Sequence, residues 1–318
     1  MKINVFNTFV GLTLILGLFA SCKDKPKNGR TDTYSSGTIK FVSDESFSPI
    51  IDEQREIFEF VYPKAKLVPI YTNELDGVNM LMKEQVYLAI TSRNFTDKEV
   101  ANLEARRFQP IAIPLAFDGL ALIVNNSNPD TIISVNDIKQ ILSGKVAKWK
   151  ALYPNSKLDS IEVAFDNKQS STVHYCVDSL LGGKPINSPN IYAVDKSAEV
   201  IDFVEKHPNA IGIIGSNWLN DKRDTTNVTF KRNIRVMGVS RIHPATVESS
   251  WKPYQYYLWN GNYPLVRTIY ALLNDPRHGL PWGFANFMSA DSRGQRIFFK
   301  AVSVYQNLHK VVRDYCWN

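Results

Sequence analysis

Short apolar runs and amphipathic stretches alternate along this chain, and that alternation restricts it to an α/β architecture. Residues 39–42 read as a strand, 49–62 as a helix, 67–71 as a strand, 75–83 as a helix and 87–91 as a strand. Thr96 and Glu99 form a capping box that opens a further helix to about residue 105. Such repeated units bury their apolar faces best in a mostly parallel sheet flanked by helices. Residues 110–125 are extended and apolar apart from Asp118-Gly119, which is long for one strand and allows passage from one lobe to another. Ser134 caps a helix that Gly144 stops. A strand at 161–165, helices at 173–181 and from Ser197 to Pro208, and a strand at 210–214 follow. A second extended crossing is expected at 234–239, a buried strand at 265–273, and helices at 282–288 and 292–300.

The N-terminus decides where such a chain works. Lys2 precedes an apolar stretch over 5–20, broken by Asn7, Thr8 and Thr13 and shorter than the roughly 20 residues a membrane span needs. It ends in Phe19-Ala20-Ser21-Cys22, the small-residue pattern of an export signal over 1–21. Because it ends in cysteine it resembles a bacterial lipoprotein signal, which implies cleavage before Cys22 and lipid on that thiol. An ordinary secretory signal with an incidental cysteine is the alternative. Residues 22–37 are polar and read as a flexible tether. The expected location is the cell envelope, lipid-anchored to a membrane and facing the periplasm or the surface.

Loss of Lys2 takes the formal charge only from +6 to +5, and the basic residues are scattered, so nucleic acid is not an expected partner. Cys176 and Cys316 remain after lipidation. An export compartment permits a bridge between them, but Cys176 lies among apolar helix positions and reads as a buried free thiol. His174, His207, His243, His278 and His309 stand apart from one another, so neither a metal nor a cofactor is expected.

Three places combine a strand, a hydroxyl-rich turn and a helix. In Ser43-Asp44-Glu45-Ser46-Phe47-Ser48-Pro49, Pro49 suits the first helical turn and Ser48 its cap, with Asp52 and Glu53 complementing the helix dipole. The N–H groups and the Ser46 hydroxyl there suit an anion. Thr91-Ser92-Arg93-Asn94 sets a guanidinium beside hydroxyl and amide donors, able to grip an oxyanion with two parallel bonds. Gln169-Ser170-Ser171-Thr172 precedes the third helix. Each has a plain capping explanation alone; three together point to the strand ends where open α/β sheets gather ligands.

With these segments the chain resembles the periplasmic phosphate-binding proteins of ABC importers, a branch of the type II periplasmic binding proteins. The likeness rests on Ser46-Phe47, Ala89-Ile90-Thr91-Ser92-Arg93, the stretch from Ile141 to Trp149, Ser170-Ser171-Thr172, Ala210-Ile211-Gly212 and Tyr263-Pro264-Leu265-Val266-Arg267. It implies two α/β lobes of mixed, mostly parallel sheets with two hinge crossings: 38–113 and 241–318 in lobe 1, and 114–240 in lobe 2. It also implies a ligand site made of Ser46, Phe47, Ser92, Arg93, Ser170, Ser171 and Thr172. Three positions depart from the family pattern: Ser171 replaces a glycine, Asp166 an arginine and Glu74 a hydroxyl. An acid about 4 Å from a dianion opposes it by about 4 kcal/mol at a surface-like dielectric.

Ser170 and His174, four apart, would make a poor nucleophile and base, because no acid or nucleophile elbow supports them. No enzyme is expected. The aromatics Trp251, Tyr254, Tyr256, Tyr257 and Trp259 read as packing, and Asp118-Gly119 as a bend. The expected function is a monomeric, lipid-anchored protein that captures a small oxyanion, phosphate first, for a membrane importer. The alternative is a sensor or scaffold in an envelope complex, using the same fold with an altered ligand.

Overall fold

A computed structural model describes residues 29–220, 230–300 and 304–305. The expected export signal over 1–21, Cys22, His309 and Cys316 lie outside the described residues. Gly37–Asp44 (β1) leads through a 3-10 turn, Glu45–Phe47, into Ser48–Val61 (α1). Ala65–Thr72 (β2), Glu74–Met82 (α2), Leu88–Thr91 (β3) and Asp97–Ala105 (α3) follow, and the Thr96/Glu99 capping box is formed. The long strand Ile111–Asn125 (β4) precedes Ile132–Ser134 (β5), Val135–Leu142 (α4), Trp149–Leu152 (α5) and Glu162–Phe165 (β6). Next come Ser171–Tyr175 (α6), extended by a π turn, then Ile191–Ala193 (β7), Ser197–Lys206 (α7) and Ala210–Gly215 (β8). Ile234–Val236 (β9), Gly238–Ser240 (β10), Ser250–Trp251 (β11), Gln255–Trp259 (α8), Val266–Leu273 (β12), Leu280–Ala290 (α9), Ser292–Lys300 (α10) and Val304–Tyr305 (β13) complete the described elements.

One mixed sheet runs β2-β1-β3-β12-β4-β8-β6-β7, with β9 and β13 also on β4, and a small second sheet pairs β11, β10 and β5. β4 is the crossing. Its first part, Ile111 to Gly119, pairs antiparallel with β12, and Leu120 to Val124 pair with β8. The outer pairs β1/β2, β1/β3, β6/β7 and β6/β8 are parallel, as strand–helix–strand units require. The central pairs are antiparallel because β4 carries the chain out and β12 brings it back.

Each half has a core on both faces of its sheet. In the first, Phe41, Phe58, Phe284, Phe287 and Phe298 close one face, and Val42, Val78, Leu81 and Leu272 the other. Burying each such side chain is worth about 1.5–3 kcal/mol. In the second half, Leu120, Ile138, Leu142, Trp149 and Tyr263 fill one face, and Ala121, Ile123, Val200 and Val204 the other.

Two boundaries differ from expectation. The return crossing is not at 234–239: β9 pairs with β4 at Ile123 to Asn125 and β10 pairs with β5, so both stay in the second half. The chain returns at Leu265 and Val266, and 241–265 contribute Leu258, Tyr263 and Leu265 to the second core. Apolar content alone does not distinguish a crossing strand from one buried within a half. The end of the segment expected as a tether, 22–37, is packed. Residues 33 and 36 form a bridge, and a Cβ at Gly283 would lie 1.8 Å from the Tyr34 carbonyl oxygen, so Tyr34 sits directly on α9. The aromatic segment packs as expected, with Trp251 and Tyr257 rings 4.5 Å apart against the second core. Cys176 is buried and has no disulfide partner among the described residues.

Candidate functional site

The cleft is built where β1, β3, β6 and β8 end. β1 ends at Asp44, whose carboxylate accepts from the Ser46 N–H at 3.0 Å and so caps the 3-10 turn. Ser48, the expected cap, is instead the first residue of α1, and no acid occupies that helix's first turn. The additional turn moves the free N–H groups forward, to where Asp44 meets them.

From the other half, the start of α6 reaches the same carboxylate. Ser171 donates its N–H to Asp44 Oδ2 at 3.1 Å and its hydroxyl to Oδ1 at 2.9 Å, and the Ser46 hydroxyl also donates to Oδ1. Arg267, on β12, stands behind the two serines. Its Nη1 donates to Ser171 Oγ at 2.7 Å and its Nη2 to Ser46 Oγ at 3.2 Å. Nε and Nη2 also donate to Asp118 Oδ2 at 3.0 and 2.9 Å, and the guanidinium lies 4.5 Å over the Phe47 ring. A Cβ at Gly215 would be 2.9 Å from Nη2, so this approach needs glycine there. Two N–H groups and two hydroxyls, backed by one guanidinium, thus converge on a single anionic group.

The second loop forms a separate cluster. Ser92 donates its N–H and hydroxyl to Glu74 at 2.7 and 2.9 Å, and Glu74 meets His174 Nδ1 of the other half at 2.9 Å. Arg93 faces Glu99 in a two-bond pair at 2.8 Å and reaches Glu74 only at 3.9 Å. In the third loop, Ser170 caps α6 and donates to Asp166 at 2.6 Å, and the Thr172 hydroxyl donates to Asp166 at 3.4 Å. Glu45 accepts from the N–H and hydroxyl of Ser197, the first residue of α7, at 3.0 and 2.8 Å. Asn217 and Trp218 donate to the Ser46 carbonyl at 3.0 and 2.9 Å.

Burial raises the Asp44 carboxyl, and the nearby Glu74 charge adds to that. Burial also pushes Asp166 up to about 7, with Asp44 as the next cause. Burial would raise Glu74 too, but the bonds from His174 and Ser92 outweigh it and hold the carboxyl below its usual range. The Glu74 hydrogen bond raises His174. Among the described residues, no group of three His, Cys, Asp or Glu side chains is placed to hold a metal.

Of the residues expected to hold a ligand, Ser46 and Ser171 meet in the cradle, and Phe47 supplies the ring beneath Arg267. Ser92, Ser170 and Thr172 are bound to acids, and Arg93 is occupied by Glu99 at the rim. Ser170 and His174 bond to different acids, so they make no catalytic pair. Asp118-Gly119 is not a bend; both residues continue β4, and Asp118 is the buried partner of Arg267. Asp44 and Arg267 were not singled out from the sequence as site residues. The Asp-x-Ser spacing of Asp44 and Ser46 is a local capping pattern that marks the first. The second lies in the Tyr263-to-Arg267 segment, where no local rule gives it a role.

A family model described as a PBP superfamily domain matches residues 28–292. Among curated proteins, the phosphate-binding protein PstS of Pseudomonas aeruginosa is 23% identical over 250 residues, 75% of this chain and 73% of that protein. The phosphate-binding protein PstS of Borreliella burgdorferi is 22% identical over 240 residues, 73% of this chain and 77% of that one. Among solved structures, a putative phosphate ABC transporter substrate-binding protein with bound phosphate, from Clostridium perfringens, matches with TM-score 0.68 at 18% identity, covering 85% of this chain and 99% of that chain. An ABC-type phosphate transport receptor from Vibrio cholerae matches with TM-score 0.58 at 20% identity, covering 84% and 99%. At these identities the likeness to solved structures carries the fold.

Proposed function

The chain belongs to the PBP superfamily, and from that premise we propose that it is a solute-binding protein that captures a small tetrahedral oxyanion, phosphate, for a membrane importer. It acts as a monomer, exported and held at the membrane through lipid on Cys22. The observation that carries this reading is the convergence of Ser46 and Ser171, from opposite halves, on one anionic group backed by Arg267. That donor set suits an oxyanion, and contacts from both halves to one ligand favour the closed arrangement. Phosphate-binding relatives over most of the chain support phosphate as the member of that class.

Calorimetry of the mature protein with inorganic phosphate, after unfolding to strip bound ligand and refolding, tests the reading. Binding in the micromolar range, about −8 kcal/mol, is expected. Each hydrogen bond to a charged ligand contributes about 1.5–3 kcal/mol, so Ser171→Ala weakens binding about tenfold or more. Arg93→Ala, removing a side chain engaged by Glu99, leaves affinity within about threefold. No heat with phosphate, against a clear signal with another solute, would overturn phosphate as the ligand.

A second reading, a sensor or scaffold module of the envelope, is favoured by one observation. Asp44, Glu45 and Glu74 join the halves through the protein's own carboxylates.

A further inference from the structure

We infer that Asp44 is a built-in competitor for the anion site. Its carboxylate is the resident occupant of the cradle, and an oxyanion enters only when it leaves. The inference rests on the assignment of that cradle to an oxyanion and concerns what sets its affinity and selectivity.

The geometry makes the two occupants mutually exclusive. Both Asp44 oxygens are bonded: Oδ1 by the Ser46 N–H and both hydroxyls, Oδ2 by the Ser171 N–H. These are the donors an oxyanion would need, and each N–H and each hydroxyl has a single proton to give. Arg267 cannot serve as an independent attraction. Its charge is shared with Asp118, and Nη1 and Nη2 also donate to the two serine oxygens. A phosphate added beside a seated Asp44 would meet like charge at contact distance in a site where Asp44, Asp118 and Ser171 are at most 2% exposed.

Space for the departure lies next door. A cavity of about 150 Å³ borders Asp44 and is lined by Glu45, Tyr71, Asn73, Asp166, Ser170 and Lys196 among others. The Asp44 side chain would leave by turning toward it, which frees the four donors. The cradle thus discriminates by charge: a dianion bonded by the four donors can displace a carboxylate, whereas a weakly charged anion of the same size cannot.

The experiment compares inorganic phosphate binding to the wild-type mature protein and to Asp44→Ser, with Asp44→Asn as a second variant should the first not fold. In Asp44→Ser the competitor is gone and phosphate binds at least tenfold more tightly than in wild type. If both proteins bind and the variant is equal or weaker, the inference is overturned and the phosphate reading stands. If only the variant binds, the inference stands and phosphate transport by the wild type fails. If neither binds, both are overturned.

Discussion

Arg267 is 4% exposed, and its charge is balanced by Asp118, its direct cross-strand neighbour. Removing one member of a buried pair strands the other, which costs about 3–5 kcal/mol, far more than the net value of the pair. Arg267→Ala is therefore expected to lower the unfolding free energy by an amount in that range, read as a fall in the urea midpoint. Arg267→Lys recovers only part of it, because one ammonium cannot serve Asp118, Ser46 and Ser171 together. A midpoint unchanged in both variants would show that the pair is not buried in solution. Asp166 behaves differently. With a folded value of about 7 against 3.8 for an ordinary aspartate, Asp166 binds more protons folded than unfolded between those two pH values. Stability tied to Asp166 thus falls as pH rises from about 4 to about 7, by an upper limit of about 4 kcal/mol. Asp166→Asn removes that slope, so at pH 8 the variant unfolds at higher denaturant than wild type and at pH 4 it does not. Wild type and variant with parallel pH profiles would contradict the burial of the charge.

At the scale of elements, the alternation of strands and helices was legible because period and capping are local properties. The Thr96 and Ser134 capping boxes and the Gly144 stop, with φ +78°, stand where their residue types place them. The short pieces β5, α5, β7 and α8 were not legible. Each is five residues or fewer and is held by its neighbours: Trp149 of α5, for instance, is buried and donates its indole N–H to the Asn209 carbonyl. The site was half legible for the same reason. Ser46 and Ser171 are marked by helix starts, which a sequence displays. Arg267 reaches them from β12 across 96 and 221 positions, a distance that no local pattern records. Glu74 and Asp166 stood out as acids where the family pattern has other residues. Their partners, His174 for the first and Ser170 with Thr172 for the second, become visible only when the loops are brought together.

Across the whole molecule, acids of the first half clasp donors of the second: Asp44 takes Ser171, Glu45 takes Ser197 and Glu74 takes His174. Asn217 and Trp218 add two bonds to the Ser46 carbonyl. Closure by this route needs no ligand, which separates the shape of the protein from its loading. The β4 and β12 crossings meet at Gly119 and Val266, so opening turns about a short, defined stretch. Glu45 is the best place to test the clasp, since it is outside the anion cradle and its two bonds fall at the start of α7. Losing about 3 kcal/mol from the closed form shifts the open-to-closed ratio about 150-fold, enough to populate an open form that wild type holds as a minor one. Glu45→Ala is thus expected to show a larger radius of gyration by small-angle scattering than wild type in phosphate-free buffer, and amide exchange at Ser197 at least tenfold faster. Saturating phosphate restores the wild-type radius, because a ligand gripped by both halves supplies the lost contacts. Identical radii for wild type and Glu45→Ala, with a contraction of both on adding phosphate, would mean that ligand alone closes the cleft and that the carboxylate clasp is too weak to matter.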